Sequence, residues 1–173
     1  MESHRAIVPL NLPTCPLRLR HALRGDEIFD PLRVKWLMLT PEEWVRQNFT
    51  AFLRTTLGYP ATLMANEIAI TLNGTSKRCD TVVYDRCGSP LMIVEYKAPS
   101  VRLTQEVFDQ IARYSLALRV PYLTVSNGLH HYCCRIDPAT RRYTFLREIP
   151  DYQSINTIVS CTDAPPRVPP LHS

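Results

Sequence analysis

The sequence predicts a single α/β domain with a mixed central β-sheet flanked by helices and extra β-hairpins toward both ends. Short segments of alternating or β-branched residues are interspersed with two segments of helical periodicity, an order typical of packed layers of strands and helices. The chain has 173 residues, enough for one domain with a substantial core and too few for two ordinary domains. Hydrophobic residues make up 45% and charged residues 21%, as in most globular proteins.

Composition divides the chain into three regions. Residues 1–16 carry three prolines without a clear period and are predicted to form an extended N-terminal arm. Residues 17–152 contain all the strand and helix signals and are predicted to be the folded domain. Residues 153–173 are rich in proline and are predicted to be a disordered tail.

Two helices have clear start signals. Thr40-Pro41-Glu42-Glu43 combines a threonine N-cap, a proline at the first helical position and a glutamate at the capping-box position. Gly58 before Pro60 ends this helix. Its polar side, with Arg46, Gln47 and Arg54, is expected to face solvent, and a contact with phosphate is the alternative. The second helix is capped by Thr104 and predicted over residues 105–119.

The remaining regular segments are predicted as strands, several joined by turn signals. These strands are residues 17–23, 27–30, 33–39, 67–72, 78–84, 91–97, 121–126, 129–136 and 142–146. Asn73-Gly74 follows the fourth strand, and Asn127-Gly128 predicts a type I′ turn between two later ones. Residues 78–84 and 91–97 form the central hairpin.

The central hairpin carries the candidate chemistry. If Tyr84 pairs with Leu91, Asp80 lies directly opposite Glu95, and such residues share a face with Cβ atoms about 4.5–5.5 Å apart. Lys97, two residues beyond Glu95, shares that face about 6.6 Å along the strand. Two carboxylates this close repel unless a cation lies between them, and a hard divalent ion prefers oxygen ligands. An ammonium beside that ion can orient a water molecule.

A plainer interpretation of the same residues is an ion pair at a strand end, Glu95 with Lys97 or Asp80 with Arg78. The register matters too, because a slip of one residue would move Glu95 and Lys97 to the face opposite Asp80.

Other polar residues are candidates for the same site. Glu67 opens the strand before the hairpin and is a possible third carboxylate, whereas Glu43 is explained by its capping-box position. Gln110 and Tyr114 are four residues apart and therefore share a face of the second helix, with Arg113 adjacent.

Together, Asp80, Glu95-Tyr96-Lys97 and the Gln110–Tyr114 segment resemble the restriction-endonuclease-like PD-(D/E)XK superfamily. More closely, they resemble the N-terminal nuclease domain of type I restriction enzyme R subunits, over roughly Leu17 to Tyr152. The last segment fits the Q-x-x-x-Y element of that branch. Cys79 stands where the superfamily name has proline, a permissive position.

The resemblance implies a restriction-endonuclease-like fold and a Mg²⁺-dependent (or Mn²⁺-dependent) DNA endonuclease. Asp80 and Glu95 would be metal ligands, helped by the backbone carbonyl of Tyr96 and by Glu67. Lys97 would steady the attacking water, and Gln110 and Tyr114 would support the site. Arginines around the cleft would contact the DNA backbone without reading its sequence. The candidates are Arg78, Arg102 and Arg113.

With five glycines and no G-x-x-x-x-G-K-[ST] phosphate loop, the sequence predicts no ATP site. The expectation is a nuclease module without its motor, which acts on DNA and works with restriction-system or motor subunits. The alternative is a catalytically silent nucleic-acid-binding or assembly module of the same fold.

Charge and cysteine usage give weaker constraints. The net charge of +4 suits a polyanionic partner. No apolar leader or membrane span is visible, so a cytoplasmic location with reduced thiols is expected. A zinc site built from His130, His131, Cys133 and Cys134 is a third possibility. Strand alternation, however, would give each face only two of these ligands.

Overall fold

The computed structural model describes residues 7–72, 74–137 and 139–158, without the side chains of Leu72, Thr75, Tyr114, Thr157 and Ile158. A 3-10 turn at Ala61–Leu63 precedes the fourth strand. The strands and α-helices are β1 (Leu19–Ala22), β2 (Gly25–Asp30), β3 (Lys35–Met38), α1 (Pro41–Thr55), β4 (Met64–Leu72), β5 (Thr75–Tyr84), β6 (Pro90–Tyr96), α2 (Gln105–Leu118), β7 (Tyr122–Ser126), β8 (His131–Ile136), β9 (Tyr143–Phe145) and α3 (Tyr152–Ile158).

The strands form two sheets. A small antiparallel sheet has the order β1-β2-β3, and a six-stranded sheet has the order β4-β5-β6-β7-β8-β9. Among the described strands of the larger sheet, only β6 and β7 pair in parallel, and α2 connects them, as a parallel pair requires. The predicted fold class is confirmed, except that the N-terminal hairpin is extended to three strands because β3 pairs with β2.

Helix α1 begins as predicted, with the hydroxyl of Thr40 accepting a hydrogen bond from the backbone N–H of Glu43 at 3.1 Å. Its apolar side places Val45, Phe49 and Leu53 in a core with no exposed surface. Each such side chain stabilises the fold by about 1.5–3 kcal/mol. The sheet contributes Val83, Met92, Val94 and Tyr96 to this core.

Helix α2 covers the second core. Phe108, Ile111 and Ala112 pack there with the alternate residues of the sheet, which include Val82, Ile93, Leu123 and Val125. Since neighbouring residues of β6 enter different cores, this strand is buried on both faces, as its nearly continuous apolar sequence predicts. The six-stranded sheet therefore lies between two helical layers.

The central hairpin follows the predicted register over three pairs: Thr81–Val94, Val82–Ile93 and Val83–Met92. Tyr84 pairs with Pro90 instead of Leu91, because a bulge shifts the register between Val83 and Tyr84. The paired residues end at Thr81 and Val94, so Asp80 and Glu95 occupy the next positions, beyond the ladder.

The start of β4 and the connection between β7 and β8 differ from the predictions. Strand β4 begins at Met64, three residues before the predicted start, and pairs with Val83 there. Strands β7 and β8 are joined by four residues, between Ser126 and His131, rather than by a two-residue turn. The Asn127 side chain organises this loop by accepting hydrogen bonds from the backbone N–H groups of Leu129 and His130 at 3.0 and 2.8 Å.

The predicted disordered tail is wrong for its first residues. Helix α3 buries Tyr152 and Ile155 in the core beneath α1. The backbone N–H of Tyr152 donates to the carbonyl of Leu57 at 2.9 Å, and the Tyr59 hydroxyl donates to the carbonyl of Pro150 at 2.7 Å. Residues 159–173, and residues 1–6 of the predicted arm, lie outside the described residues. None of the described helices is long and apolar enough to cross a membrane.

Candidate functional site

A buried arginine lies at the centre of a cluster of carboxylates. Arg46, with 5% of its side chain exposed, donates hydrogen bonds from Nη1 to Glu43 at 2.9 Å and from Nη2 to Asp80 at 3.2 Å. Its Nη2 atom also forms a salt bridge with Glu67 at 2.7 Å. Glu42 lies 3.9 Å from the same Nη2 atom. Three elements, α1, β4 and β5, therefore meet at one guanidinium group.

The spacing of residues along α1 explains the cluster. Glu43, Arg46 and Gln47 are three and four residues apart and share one face of the helix. Gln47 donates to Glu43 at 2.8 Å. Arg46 and Gln47 are 4% and 1% exposed, so the expectation that they face solvent is wrong. The Glu43 carboxylate contacts Arg33, Arg46 and Gln47, so its capping-box position does not account for its role.

Asp80 lies at the point where the β5–β6 ladder ends. Its Oδ2 atom accepts a hydrogen bond from the backbone N–H of Tyr96 at 2.8 Å, and its Oδ1 atom accepts one from Arg46. The carboxylate thus replaces a backbone acceptor between the strands. This contact fixes Asp80 next to the Glu95-Tyr96-Lys97 segment.

Glu95 is paired with a residue that the sequence analysis did not single out. Lys77 on β5 donates to its Oε1 atom at 2.8 Å, and the side chains are only 17% and 12% exposed. Burial and the nearby charge of Asp80 raise the pKa of Glu95 to about 7, against the opposing charges of Lys77 and Lys97. At neutral pH this carboxyl group is therefore poised between its two protonation states, and a further cation would favour ionisation.

Lys97 directly follows β6, and its backbone N–H donates to the carbonyl of Ser126 at 2.9 Å. The positive charge of Lys97 favours the ionised forms of Glu95 and Glu42, and so it opposes the rise in the pKa of each carboxyl group. At Glu42, burial and the charge of Asp80 outweigh this effect, and the pKa is raised overall. Among the described residues, the Lys97 ammonium forms no hydrogen bond or salt bridge. The predicted Glu95–Lys97 and Asp80–Arg78 ion pairs are not the pairs that form.

Glu67 is linked to Asp80 through Arg46, which contacts both carboxylates. It also accepts a hydrogen bond from Arg78 at 2.6 Å. Burial alone would raise the pKa of Glu67, but the hydrogen bond from Arg78 and the charge of Arg46 lower it overall. Glu67 has a φ of 55°, a left-handed conformation that is unusual for a glutamate within a strand and that marks a locally strained backbone.

A chain of buried hydrogen bonds supports the site from below. The Tyr96 hydroxyl donates to Thr81 at 3.0 Å, Thr81 donates to Asn66 at 2.6 Å, and Asn66 donates to Asp30 at 2.9 Å. Arg33 continues the chain by donating to Asp30 and Glu43, at 2.6 and 3.3 Å. Glu43 contacts Arg46, Arg46 contacts Asp80, and Asp80 accepts a hydrogen bond from the backbone N–H of Tyr96. The chain of contacts therefore closes into a ring that links both sheets to α1.

The other predicted residues lie away from this ring. Gln110 is on the exposed side of α2, and the side chain of Tyr114 lies outside the described part. Arg102 and Arg113 are exposed and form no salt bridge with any described residue. Arg78 is 71% exposed but is paired with Glu67.

The residues of the proposed zinc site have other partners. Both ring nitrogens of His131 are hydrogen-bonded, to the Ser126 hydroxyl at 2.8 Å and the Asn11 carbonyl at 2.9 Å. Burial raises the pKa of the Cys133 and Cys134 thiols to about 11 and 12. Cys15, Cys79, Cys133 and Cys134 are free thiols, which agrees with the expectation of reduced thiols at these four positions.

The donor chemistry of the site fits a hard divalent cation, although its side chains are turned toward other cations. Asp80, Glu67 and Glu95 supply oxygen ligands, and Glu95 is destabilised in its charged form by Asp80. Within the described residues, no three His, Cys, Asp or Glu side chains are already arranged around a single point. Arg46 and Lys77 hold these carboxylates instead.

Sequence reasoning missed Glu42, Arg46 and Lys77. For Arg46 the available signal was its i, i+3 spacing from Glu43, together with the Glu43–Gln47 spacing, which concentrates polar groups on one side of an otherwise apolar helix. For Lys77 there was no local signal, because its partner Glu95 belongs to the next strand.

Comparison with known proteins gives the family. Residues 41–150, more than half of the chain, match the family described as Type I restriction enzyme R protein N terminus (HSDR_N). This stretch runs from the start of α1 to the residues before α3 and includes the whole carboxylate cluster. No curated protein matches the sequence.

Among solved structures, the chain is similar to a fragment described as an HsdR subunit of a type I restriction enzyme from Vibrio vulnificus YJ016, with 18% sequence identity and a TM-score of 0.49. The similarity covers 67% of this chain and 24% of that one, so the chain spans about a quarter of that structure. At this identity and TM-score, no conclusion about the present chain is based on the likeness. On the strength of the family match, the chain belongs to the type I restriction enzyme R protein N-terminal family.

Proposed function

We propose that this protein is a Mg²⁺-dependent DNA endonuclease, the nuclease module of a restriction system without an ATP-driven motor in the described chain. The observation that carries the proposal is the meeting of Asp80, Glu95 and Lys97 at the end of the β5–β6 ladder. There, Lys97 alone of the three has no hydrogen-bonded or ion-paired side-chain partner among the described residues.

Asp80 and Glu95 are the proposed metal ligands, with Glu67 and the carbonyl of Tyr96 as further oxygen donors. When bound, Mg²⁺ or Mn²⁺ would supply Lewis-acid polarisation of a phosphate and a water of lowered pKa. The residues of the chain do the positioning. The backbone N–H of Tyr96 fixes the Asp80 carboxylate, and the buried ring below Tyr96 holds that peptide in place.

Lys97 is proposed to orient the attacking water or stabilise charge on the phosphate. A lysine already engaged in a strong ion pair would have to break it first, whereas the Lys97 ammonium is available. Its attraction to Glu95 and Glu42 keeps it near the site without a fixed salt bridge. Gln110 and Tyr114 remain proposals as supporting residues.

DNA is the proposed substrate, held mainly through its phosphates. Arg102 and Arg113 are exposed and free of salt bridges within the described chain, so they are the stronger candidates for backbone contacts. Arg78 would have to exchange Glu67 for a phosphate. Each contact is expected to add about 0.9 to the slope of log affinity against log salt. Restriction-system subunits are the proposed protein partners, and the cytoplasm is the proposed location.

Plasmid nicking in Mg²⁺ and in EDTA tests the function. The variants are Asp80→Asn, Glu95→Gln and Lys97→Met, which keep side-chain size, with Lys35→Met as the matched control because Lys35 is an exposed lysine without a salt bridge in the described chain. Nicking should require Mg²⁺ and fall about 100-fold or more in the three site variants, with Lys35→Met unchanged. If wild-type protein cuts supercoiled, linear and single-stranded DNA no faster than Lys97→Met, the enzyme proposal fails. A catalytically silent DNA-binding or assembly module is then the remaining function.

A further inference from the structure

The carboxylate cluster is largely neutralised by the protein itself. Six acidic side chains are linked by contact or by mutual electrostatic interaction: Asp30, Glu42, Glu43, Glu67, Asp80 and Glu95. Five basic side chains oppose them: Arg33, Arg46, Lys77, Arg78 and Lys97. A divalent cation that entered this cluster would add two positive charges to a site that has only one formal negative charge in excess.

Arg46 is the cation in direct contact with the proposed metal ligands. One atom, Nη2, bridges Glu67 and Asp80 at 2.7 and 3.2 Å, which is how a shared cation holds two carboxylates together. The side chain is 5% exposed and comes from the rigid interior of α1. An oxygen lone pair that accepts from Arg46 is not available to a metal ion at the same time.

The remaining contacts of Arg46 would allow it to release Asp80 without losing all compensation. Its Nη1 atom is bound to Glu43 at 2.9 Å, and Glu42 lies 3.9 Å from Nη2 at the more exposed edge of the cluster. The Nε atom is buried and has no hydrogen-bond partner among the described residues. Its unsatisfied donor means that the observed position of the guanidinium is not an optimum for hydrogen bonding.

We propose that Arg46 is a built-in competitor for the divalent cation, which must displace it from Asp80 and Glu67 in order to bind. The inference rests on the proposed metal-dependent function and adds its regulation. Arg46 holds the ligands together when no metal is bound and weakens metal affinity, so that the protein binds metal productively only when it is abundant or when DNA phosphate attracts the arginine away.

Metal affinity without DNA gives the test, because competition and structural support predict opposite signs. Binding of Ca²⁺ and of Mn²⁺ is measured by calorimetry for wild type, Arg46→Met and the control Arg54→Met. Arg54 lies two turns further along α1 and forms no salt bridge in the described chain. Arg46→Met should bind either ion at least about tenfold more tightly than wild type, since a like charge next to the ion is removed. Arg54→Met should match wild type.

Thermal unfolding gives a second readout. Without metal, Arg46→Met should melt several degrees below wild type, because Asp80, Glu67 and Glu43 are left without their shared cation. Added Ca²⁺ should raise its melting temperature more than that of wild type. If Arg46→Met is unfolded without metal, Arg46→Lys replaces it in the calorimetry. A single ammonium cannot bridge all the carboxylates, so its affinity should lie above that of wild type.

The outcomes separate the two proposals. Tighter metal binding by Arg46→Met in a protein that never cuts DNA supports the competition and refutes the nuclease function. Equal or weaker metal binding by the Arg46 variants overturns the competition, whatever the nicking assay gives. Failure of every protein to bind either ion at tens of millimolar overturns both.

Discussion

Replacement of Thr81 by valine should destabilise the protein by about 2–6 kcal/mol, although the two side chains have nearly the same shape. The Thr81 hydroxyl accepts from the hydroxyl of Tyr96 at 3.0 Å and donates to Asn66 at 2.6 Å. Thr81, Tyr96 and Asn66 are 0%, 1% and 6% exposed, so water cannot replace the lost partner. Each buried polar group left without a partner costs about 1–3 kcal/mol, and the valine leaves two.

Urea-induced unfolding measures the effect, provided the slope of the free energy against urea is unchanged. The matched control is Thr124→Val. Thr124 is also a fully buried strand threonine, but its hydroxyl contacts the sulfur of Met92 at 3.2 Å, a weak acceptor. Its replacement should cost less than about 1 kcal/mol. Tyr96→Phe should be intermediate, at about 0.5–1.5 kcal/mol, because Thr81 keeps its bond to Asn66.

A double variant checks the coupling. Thr81→Val combined with Tyr96→Phe should cost less than the sum of the single changes by about 1 kcal/mol, because the same hydrogen bond is removed in both. The reasoning is refuted if Thr81→Val is no more destabilising than Thr124→Val, which would mean that the ring below the site does not contribute to stability. Since Tyr96 also donates its backbone N–H to Asp80, Thr81→Val should in addition weaken Mn²⁺ binding.

Two further predictions concern Gly128, in the loop that joins β7 and β8, and His131, the first residue of β8. Gly128→Ala should destabilise the protein by about 2 kcal/mol or more, because φ is +82° and the added Cβ would lie 2.6 Å from a methyl carbon of Leu10 and 3.1 Å from one of Val45. Gly88→Ala, at φ +81° with no atom within 4 Å, should cost only the backbone strain of about 1 kcal/mol, and equal losses in thermal unfolding would contradict the steric explanation. Burial lowers the pKa of His131 below its ordinary value of 6.5, so folding favours the neutral ring. This contribution to stability is complete above pH 6.5 and is lost as pH falls through the lowered pKa, so His131→Gln should flatten the fall in unfolding free energy between pH 7.5 and pH 5.5.

Local signals determined much of the fold. The helix start at Thr40 and Pro41 depends on capping within four residues, and the structure has it as predicted. The central hairpin register follows from two apolar strands whose polar residues must coincide at one end, and three of its pairs agree with the prediction. A nearly continuous apolar strand such as β6 can only lie in a sheet that is covered on both faces.

The features that were predicted wrongly from the sequence depend on contacts between distant segments of the chain. Residues 153–158 are assigned to the tail from the sequence because their few apolar residues show no periodicity, yet Ile155 packs in a core formed by α1 and the sheet. Glu67 adopts a positive φ that no propensity favours for glutamate. Its carboxylate is then held by Arg46 and Arg78, and such interactions between separate elements offset the local strain.

The sequence by itself determined the identity of the candidate site residues, since an aspartate and a glutamate-x-lysine on adjoining strands are set by chain order and strand alternation. Only the tertiary structure decided their partners. Arg46 comes to Asp80 from a helix 34 residues away, and Lys77 to Glu95 from the neighbouring strand. The reason is physical: a charge finds its partner by proximity in space and by the cost of burial, and neither is encoded in local spacing.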